Sequence, residues 1–148
     1  MSIKKVLSSL SILGFAISIF LVYQYSRPES VLCVTSHSSC DLVKNSSYSY
    51  LFGIRLPYLG AFYFLFLMTY MYLRSIEKYA KSPDILLFGI ILIGLFFETA
   101  YTYIQVFVID TLCFWCLTIE LIMLVMATVC GLSLMGELKD KDDKYKIQ

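Results

Sequence analysis

Four cysteines in this chain have the types and spacing of thiol redox chemistry. Cys113-Phe-Trp-Cys116 stands at the head of an apolar run that ends near Leu134, and Cys33 and Cys40 lie in an earlier, more polar segment. A Cys-x-x-Cys pair can cycle between dithiol and disulfide. The free N–H groups and the positive dipole end of a helix start favour the thiolate that such cycling needs. At the outer end of a membrane helix, the pair also sits where a soluble thiol protein could meet a lipid-soluble electron carrier. The same cysteines are compatible with bound zinc or with two inert structural disulfides. Zinc would have to be held between a loop and a helix end, with only His37 able to add an imidazole. A disulfide across one helical turn closes a very short loop and contributes little chain-entropy stabilisation, so reversible chemistry suits Cys113 and Cys116 better.

Two carboxylates join the thiols as candidates. Glu120 follows Cys116 by four residues and Cys113 by seven, which puts all three on one helix face. Ionisable groups inside a membrane span are costly and default to a functional reading. Reducing a quinone consumes protons as well as electrons, so Glu120 could relay a proton. The alternative is a neutral Glu120 hydrogen-bonded to a neighbouring helix, and that alternative is preferred for Glu98. Cys130, about four turns below the pair, reads as a small core hydrophobe. His37 reads as an exposed loop residue able to tune a neighbouring thiol. Trp115, Tyr101 and Tyr103 fit an aromatic interfacial belt as readily as a ring-binding pocket.

These residues need helices to hold them. The chain has 148 residues, 59% of them hydrophobic, with a mean hydropathy of +0.75. That composition predicts an all-α membrane protein, a single four-helix bundle with no second domain. A formal net charge of +1 leaves no nucleic-acid footprint. The spans are expected at roughly residues 6–23, 57–73, 84–108 and 112–134, with Pro57 and Pro83 marking the starts of the second and third. The first span lacks a small-x-small cleavage site and reads as a retained helix, not a removed signal.

Charge placement predicts the topology. Lys4 and Lys5 precede the first span; Arg74, Lys78 and Lys81 lie between the second and third; Lys139, Lys141, Lys144 and Lys146 follow the fourth. The positive-inside rule then puts both termini in the cytoplasm of a plasma-membrane protein and all four paired cysteines outside, where disulfides persist. The outer segment, residues 24–56, is expected to carry a short surface helix capped by Ser46 or Ser47 that roofs a pocket between the helix ends. The charged run from Lys139 to Lys146 reads as a solvated tail.

The order and spacing of these motifs resemble the vitamin K epoxide reductase family in its short prokaryotic form. Cys33-x6-Cys40 is followed by Asp41-Leu42-Val43, by Asn45-Ser46-Ser47-Tyr48, by Leu51-Phe52-Gly53-Ile54 with Pro57 and Gly60, and finally by Cys113-Phe-Trp-Cys116. The resemblance implies a thiol:quinone oxidoreductase. Cys116 would donate electrons to a membrane quinone, and Cys113 would be its partner, attacked by Cys40. Cys33 would exchange with an extracytoplasmic thioredoxin-like dithiol protein, separate from this chain. Ser46 would precede the surface helix and Phe52 would help cover the ring, and Trp115 and Glu120, from their own placement, are the further candidates around the quinone. The expected outcome is disulfide formation in exported proteins. The animal enzymes carry a quinone-binding asparagine where this chain has Leu56, and a tyrosine where it has Glu120. These departures favour ordinary quinone reduction over epoxide reduction. The rivals are a vitamin K epoxide or quinone reductase, and a membrane scaffold with structural disulfides or zinc.

Overall fold

The computed structural model describes residues 3–28, 31–33, 37–76 and 85–146, with side chains described for these except at 37–38, 75–76 and 140–146. Lys78, Lys81, Pro83 and Asp84, and the side chains of His37, Lys141, Lys144 and Lys146, lie outside the described residues. In chain order the elements are α1 (Ile3–Ser26), α2 (His37–Asn45), a 3-10 turn (Ser47–Ser49), the strands β1 (Tyr50–Leu51) and β2 (Ile54–Arg55), α3 (Leu56–Ile76), α4 (Ile85–Phe107) and α5 (Phe114–Lys146). The helices α1, α3, α4 and α5 are each long and apolar enough to cross a bilayer, and the protein is a multi-pass membrane protein. Helix α5 runs through the charged stretch expected to be a tail.

Small residues set how closely the helices pack. The buried face of α1 carries Leu7, Ser11, Gly14, Ser18, Leu21 and Tyr25 at alternating three- and four-residue steps. A side chain at Gly14 would run into the ring of Phe64 on α3, and one at Gly60 would come within 3.3 Å of the Ser18 hydroxyl. Lipid tails are as apolar as leucine, so close backbone approach at small residues replaces the hydrophobic drive of a soluble core. On the other side of the bundle, Gly94 of α4 leaves room for Tyr63 and Met123. Tyr63 also donates its hydroxyl to the Ile90 carbonyl at 2.9 Å, tying α3 to α4. Phe64, Leu67, Ile91, Met123, Met126 and Cys130 are fully buried at the centre.

The outer segment differs from the expectation in where its helix lies. An α-helix, α2, lies ahead of Ser46, and what Ser46 itself begins is the single 3-10 turn Ser47–Ser49, as N-cap without a side-chain cap bond. The Ser46 hydroxyl donates back to the Val43 carbonyl at 2.8 Å and closes the end of α2, because a short hydroxyl side chain competes for the last helical carbonyls. The chain then forms a hairpin whose central residues, Phe52 and Gly53, both have positive φ (51° and 79°), a turn that matches the twist of its strands. Two cations of this segment finish α1. Lys44 donates to the carbonyls of Gln24 (3.2 Å) and Arg27 (2.6 Å), and Arg55 donates to that of Tyr25. A helix leaves its last four carbonyls unsatisfied, and Lys and Arg near its C-terminus are suited to fill them.

Candidate functional site

The turn between α4 and α5 fixes the Cys-x-x-Cys pair. Ile109 donates its N–H to the Ile104 carbonyl (3.1 Å) and Thr111 donates to that of Gln105 (3.0 Å), while Asp110 takes a left-handed conformation (φ 54°) that reverses the chain. Aspartate tolerates this conformation better than most residues because its short polar side chain bonds locally. Helix α5 then starts at Phe114, and its first turn is closed by the Leu117 N–H donating to the Cys113 carbonyl at 3.1 Å. Cys113 therefore sits at the N-cap, just ahead of the membrane-spanning segment, and Cys116 sits in the first turn. The Cys113 N–H is satisfied by the Gln105 Oε1 at 2.9 Å.

The segment between α1 and α3 brings the other pair to this point. Cys33 and Cys40 form a disulfide, with Cα atoms 6.2 Å apart. The Cys40 Sγ lies 3.3 Å from the Cys113 Sγ, and the sulfurs of Cys33, Cys40 and Cys113 lie within 4.8 Å of one another. All three residues are buried, and Val31 and Val43 are fully buried alongside them. Three sulfurs so close could hold a metal ion. In this oxidised form two of them are spent in a disulfide and offer no thiolate. Two hydrogen bonds fasten the residues before Cys33. Asp41 Oδ1 accepts the Val31 N–H at 2.7 Å, and the Trp115 indole donates to the Leu32 carbonyl at 2.7 Å. The Trp115 ring also lies 5.0 Å from that of Phe20 on α1.

Electrostatics favour a reactive thiol on Cys113. Its pKa is lowered to about 7, chiefly because the Cys116 thiol donates a hydrogen bond to it. Burial opposes the shift, and the backbone N–H groups of Cys116 and Trp115 at the helix start add to it.

The remaining sequence candidates divide. Glu120 accepts a hydrogen bond from the Thr102 hydroxyl of α4 at 2.7 Å, and Glu98 of α4 lies within electrostatic reach of it. Tyr103 is exposed on the bundle surface, whereas Tyr101 turns inward. Trp115 is at the thiols, as a fastener of the Leu32 segment. Phe52 is not brought to them: it is 94% exposed at the hairpin tip. The hydroxyl of Ser46 is committed to Val43. Cys130 is buried in the core, away from both cysteine pairs.

Three residues that sequence reasoning passed over or underweighted stand at the site. The phenols of Tyr25 on α1 and Tyr101 on α4 lie within electrostatic reach of both Cys113 and Cys116. Gln105 is fully buried eight residues before Cys113. A lone amide inside an apolar run was the available signal for it. Together these groups can pass a disulfide from one cysteine pair to the other by thiolate attack, beside a half-buried Cys116 at the boundary of the apolar bundle.

The sequence model described as the vitamin K epoxide reductase family matches residues 5–130 of the chain. No curated protein matches it.

Proposed function

Because the chain belongs to the vitamin K epoxide reductase family, a family of membrane oxidoreductases, we propose that it is a thiol-dependent quinone reductase that generates disulfides outside the cytoplasm. The observation that carries this reading is the 3.3 Å approach of Cys40 to Cys113, which joins the two cysteine pairs into one relay. A reduced thioredoxin-like protein gives its electrons to the Cys33–Cys40 disulfide: one of its thiolates attacks Cys33 and frees Cys40, and its second thiolate then resolves that mixed disulfide, releasing Cys33 as a thiolate and leaving the partner oxidised. The freed Cys40 thiolate then attacks Cys113 of a Cys113–Cys116 disulfide, and the Cys33 thiolate resolves the Cys40–Cys113 bond. The product has Cys33 and Cys40 oxidised and Cys113 and Cys116 reduced, the thiol state seen in this structure. From there the substrate quinone takes two electrons from the Cys116 side.

The residues of this chain support quinone as the acceptor. Tyr25 and Tyr101 supply phenols beside the thiols, and Glu120 with Glu98 supplies carboxyl groups one to two helical turns deeper on α5 and α4. Leu56, at the start of α3, offers no hydrogen bond to a ring oxygen, in keeping with reduction of a quinone and not of an epoxide. The orientation follows the positive-inside rule: termini in the cytoplasm, α2 and the four cysteines outside.

The test is quinone reduction by the purified protein supplied with a reduced thioredoxin-like dithiol, wild type beside Cys116→Ala. Turnover in the wild type and none in a folded Cys116→Ala is expected. If the folded wild type reduces no ubiquinone and no menaquinone analogue, the reading is wrong.

A further inference from the structure

One buried donor at the site makes no hydrogen bond among the described residues. The Gln105 side chain is fully buried, and its two ends fare differently. Oε1 accepts the Cys113 N–H at 2.9 Å. Nε2 is buried with no hydrogen-bond partner among the described residues, although it lies in electrostatic contact with the Cys116 sulfur. A buried amide donor left unpaired is expensive, and most buried donors in native proteins are paired. An orphan donor beside a redox-active sulfur suggests an acceptor that exists in only one step of the cycle.

Resting on the oxidoreductase reading, we propose that Gln105 serves the internal exchange at both ends of its amide: Oε1 holds the Cys113 backbone at the helix start, and Nε2 donates to the thiolate that leaves on Cys116. The step balances without a further reactant. The Cys40 thiolate attacks the Cys113 Sγ, the Cys40–Cys113 bond forms, the Cys113–Cys116 bond breaks, and the electron pair departs on Cys116 as a thiolate. A neutral thiol or a disulfide sulfur is a poor acceptor, whereas a thiolate accepts a charge-assisted bond. A lower-energy leaving thiolate speeds the exchange. Other groups also bear on that charge: Cys113 on the same turn, Tyr25 from α1, and Glu98 and Tyr101 from α4. Among these, Gln105 alone presents an amide donor.

The experiment titrates Cys116 by itself. In a Cys113→Ala background, alkylation of Cys116 by iodoacetamide is followed against pH by mass spectrometry, with Gln105, Gln105→Met and Gln105→Glu. Gln105→Glu keeps an oxygen for the Cys113-position N–H and removes the amide donor, so it separates positioning from donation. Both variants are expected to alkylate Cys116 about tenfold more slowly near neutral pH, the equivalent of one pKa unit. Profiles superimposable on that of the parent would overturn the proposal. A second readout needs no change at Gln105: in the same background its side-chain 15N–1H amide resonances should shift with the Cys116 titration, and amide resonances that stay still would overturn it equally. Neither readout involves quinone, so failure of quinone turnover in the wild type would count against the oxidoreductase reading alone.

Discussion

Cys40 and Cys113 are 73 residues apart in sequence, yet their sulfurs lie 3.3 Å apart. They belong to different elements, α2 and the N-cap of α5, and each is fully buried. A contact of that length between a disulfide sulfur and a thiol is the geometry from which exchange proceeds. In a Cys33→Ala, Cys116→Ala double variant, mild oxidation should therefore join Cys40 to Cys113. Non-reducing peptide mapping checks this, and recovery of both as free thiols would contradict the relay.

The Cys113 thiol should titrate unusually low. With a pKa of about 7 it is largely thiolate by pH 8, where an ordinary cysteine is still mostly protonated. Because the hydrogen bond from Cys116 is the largest cause, Cys116→Ala should move the Cys113 midpoint upward, toward the ordinary thiol range. The 13Cβ resonance of labelled Cys113, followed against pH in wild type and variant, reads both. An unmoved midpoint would assign the shift to the helix start instead.

Trp115, between Cys113 and Cys116, fastens the residues before Cys33 through its bond to the Leu32 carbonyl. Trp115→Phe keeps an aromatic ring beside Phe20 and loses the indole donor. It should cost about 1 kcal/mol and slow reduction of the Cys33–Cys40 disulfide by a dithiol several-fold. Quinone reduction by chemically pre-reduced protein should change little. Stopped-flow comparison of the two half-reactions tells them apart.

Glu120→Gln retains an oxygen for the Thr102 hydroxyl and removes the exchangeable acid. If Glu120 relays a proton, quinone reduction slows while cysteine exchange is intact. Turnover unchanged across pH would leave Glu120 a structural acceptor.

At Gly14 the backbone of α1 runs so close to the Phe64 ring of α3 that a side chain there would collide with it. Phe64→Ala empties a fully buried ring site and should destabilise the fold by about 3–5 kcal/mol. Gly14→Val should destabilise it by forcing α1 from α3. Thermal unfolding in detergent measures both, and a Gly14→Val protein as stable as wild type would deny the close approach.

How much of this could be read from the chain depends on the range of the interaction. Hydropathy and proline placement located the four membrane helices to within a few residues at most ends, because crossing a bilayer is a local property of about twenty residues. The cysteine spacings marked both pairs for the same reason. Long-range contacts were invisible. Nothing in the sequence says that Trp115 bonds a carbonyl 83 residues earlier, or that Tyr25 reaches the thiols. Gln105 gave a signal of the kind that singled out Glu98 and Glu120, a polar residue in an apolar run, but only the left-handed turn at Asp110 folds it back onto Cys113. Ser46 can start a helix or end one, and residue type does not say which: it begins the 3-10 turn Ser47–Ser49 while its hydroxyl bonds backward to Val43 and closes α2.

The burial of Cys113 has an electrical consequence. Cys113 is fully buried against the Cys33–Cys40 disulfide, and Cys116 lies inside the span behind it. If the chain reduces a quinone as proposed, this burial would deny small thiols a short circuit into the quinone pool. In the proposed relay the Cys33–Cys40 disulfide would act as the terminal of an insulated wire: a dithiol able to open it would drive the current, and the choice of electron donor would be made by protein fit and not by thiol concentration.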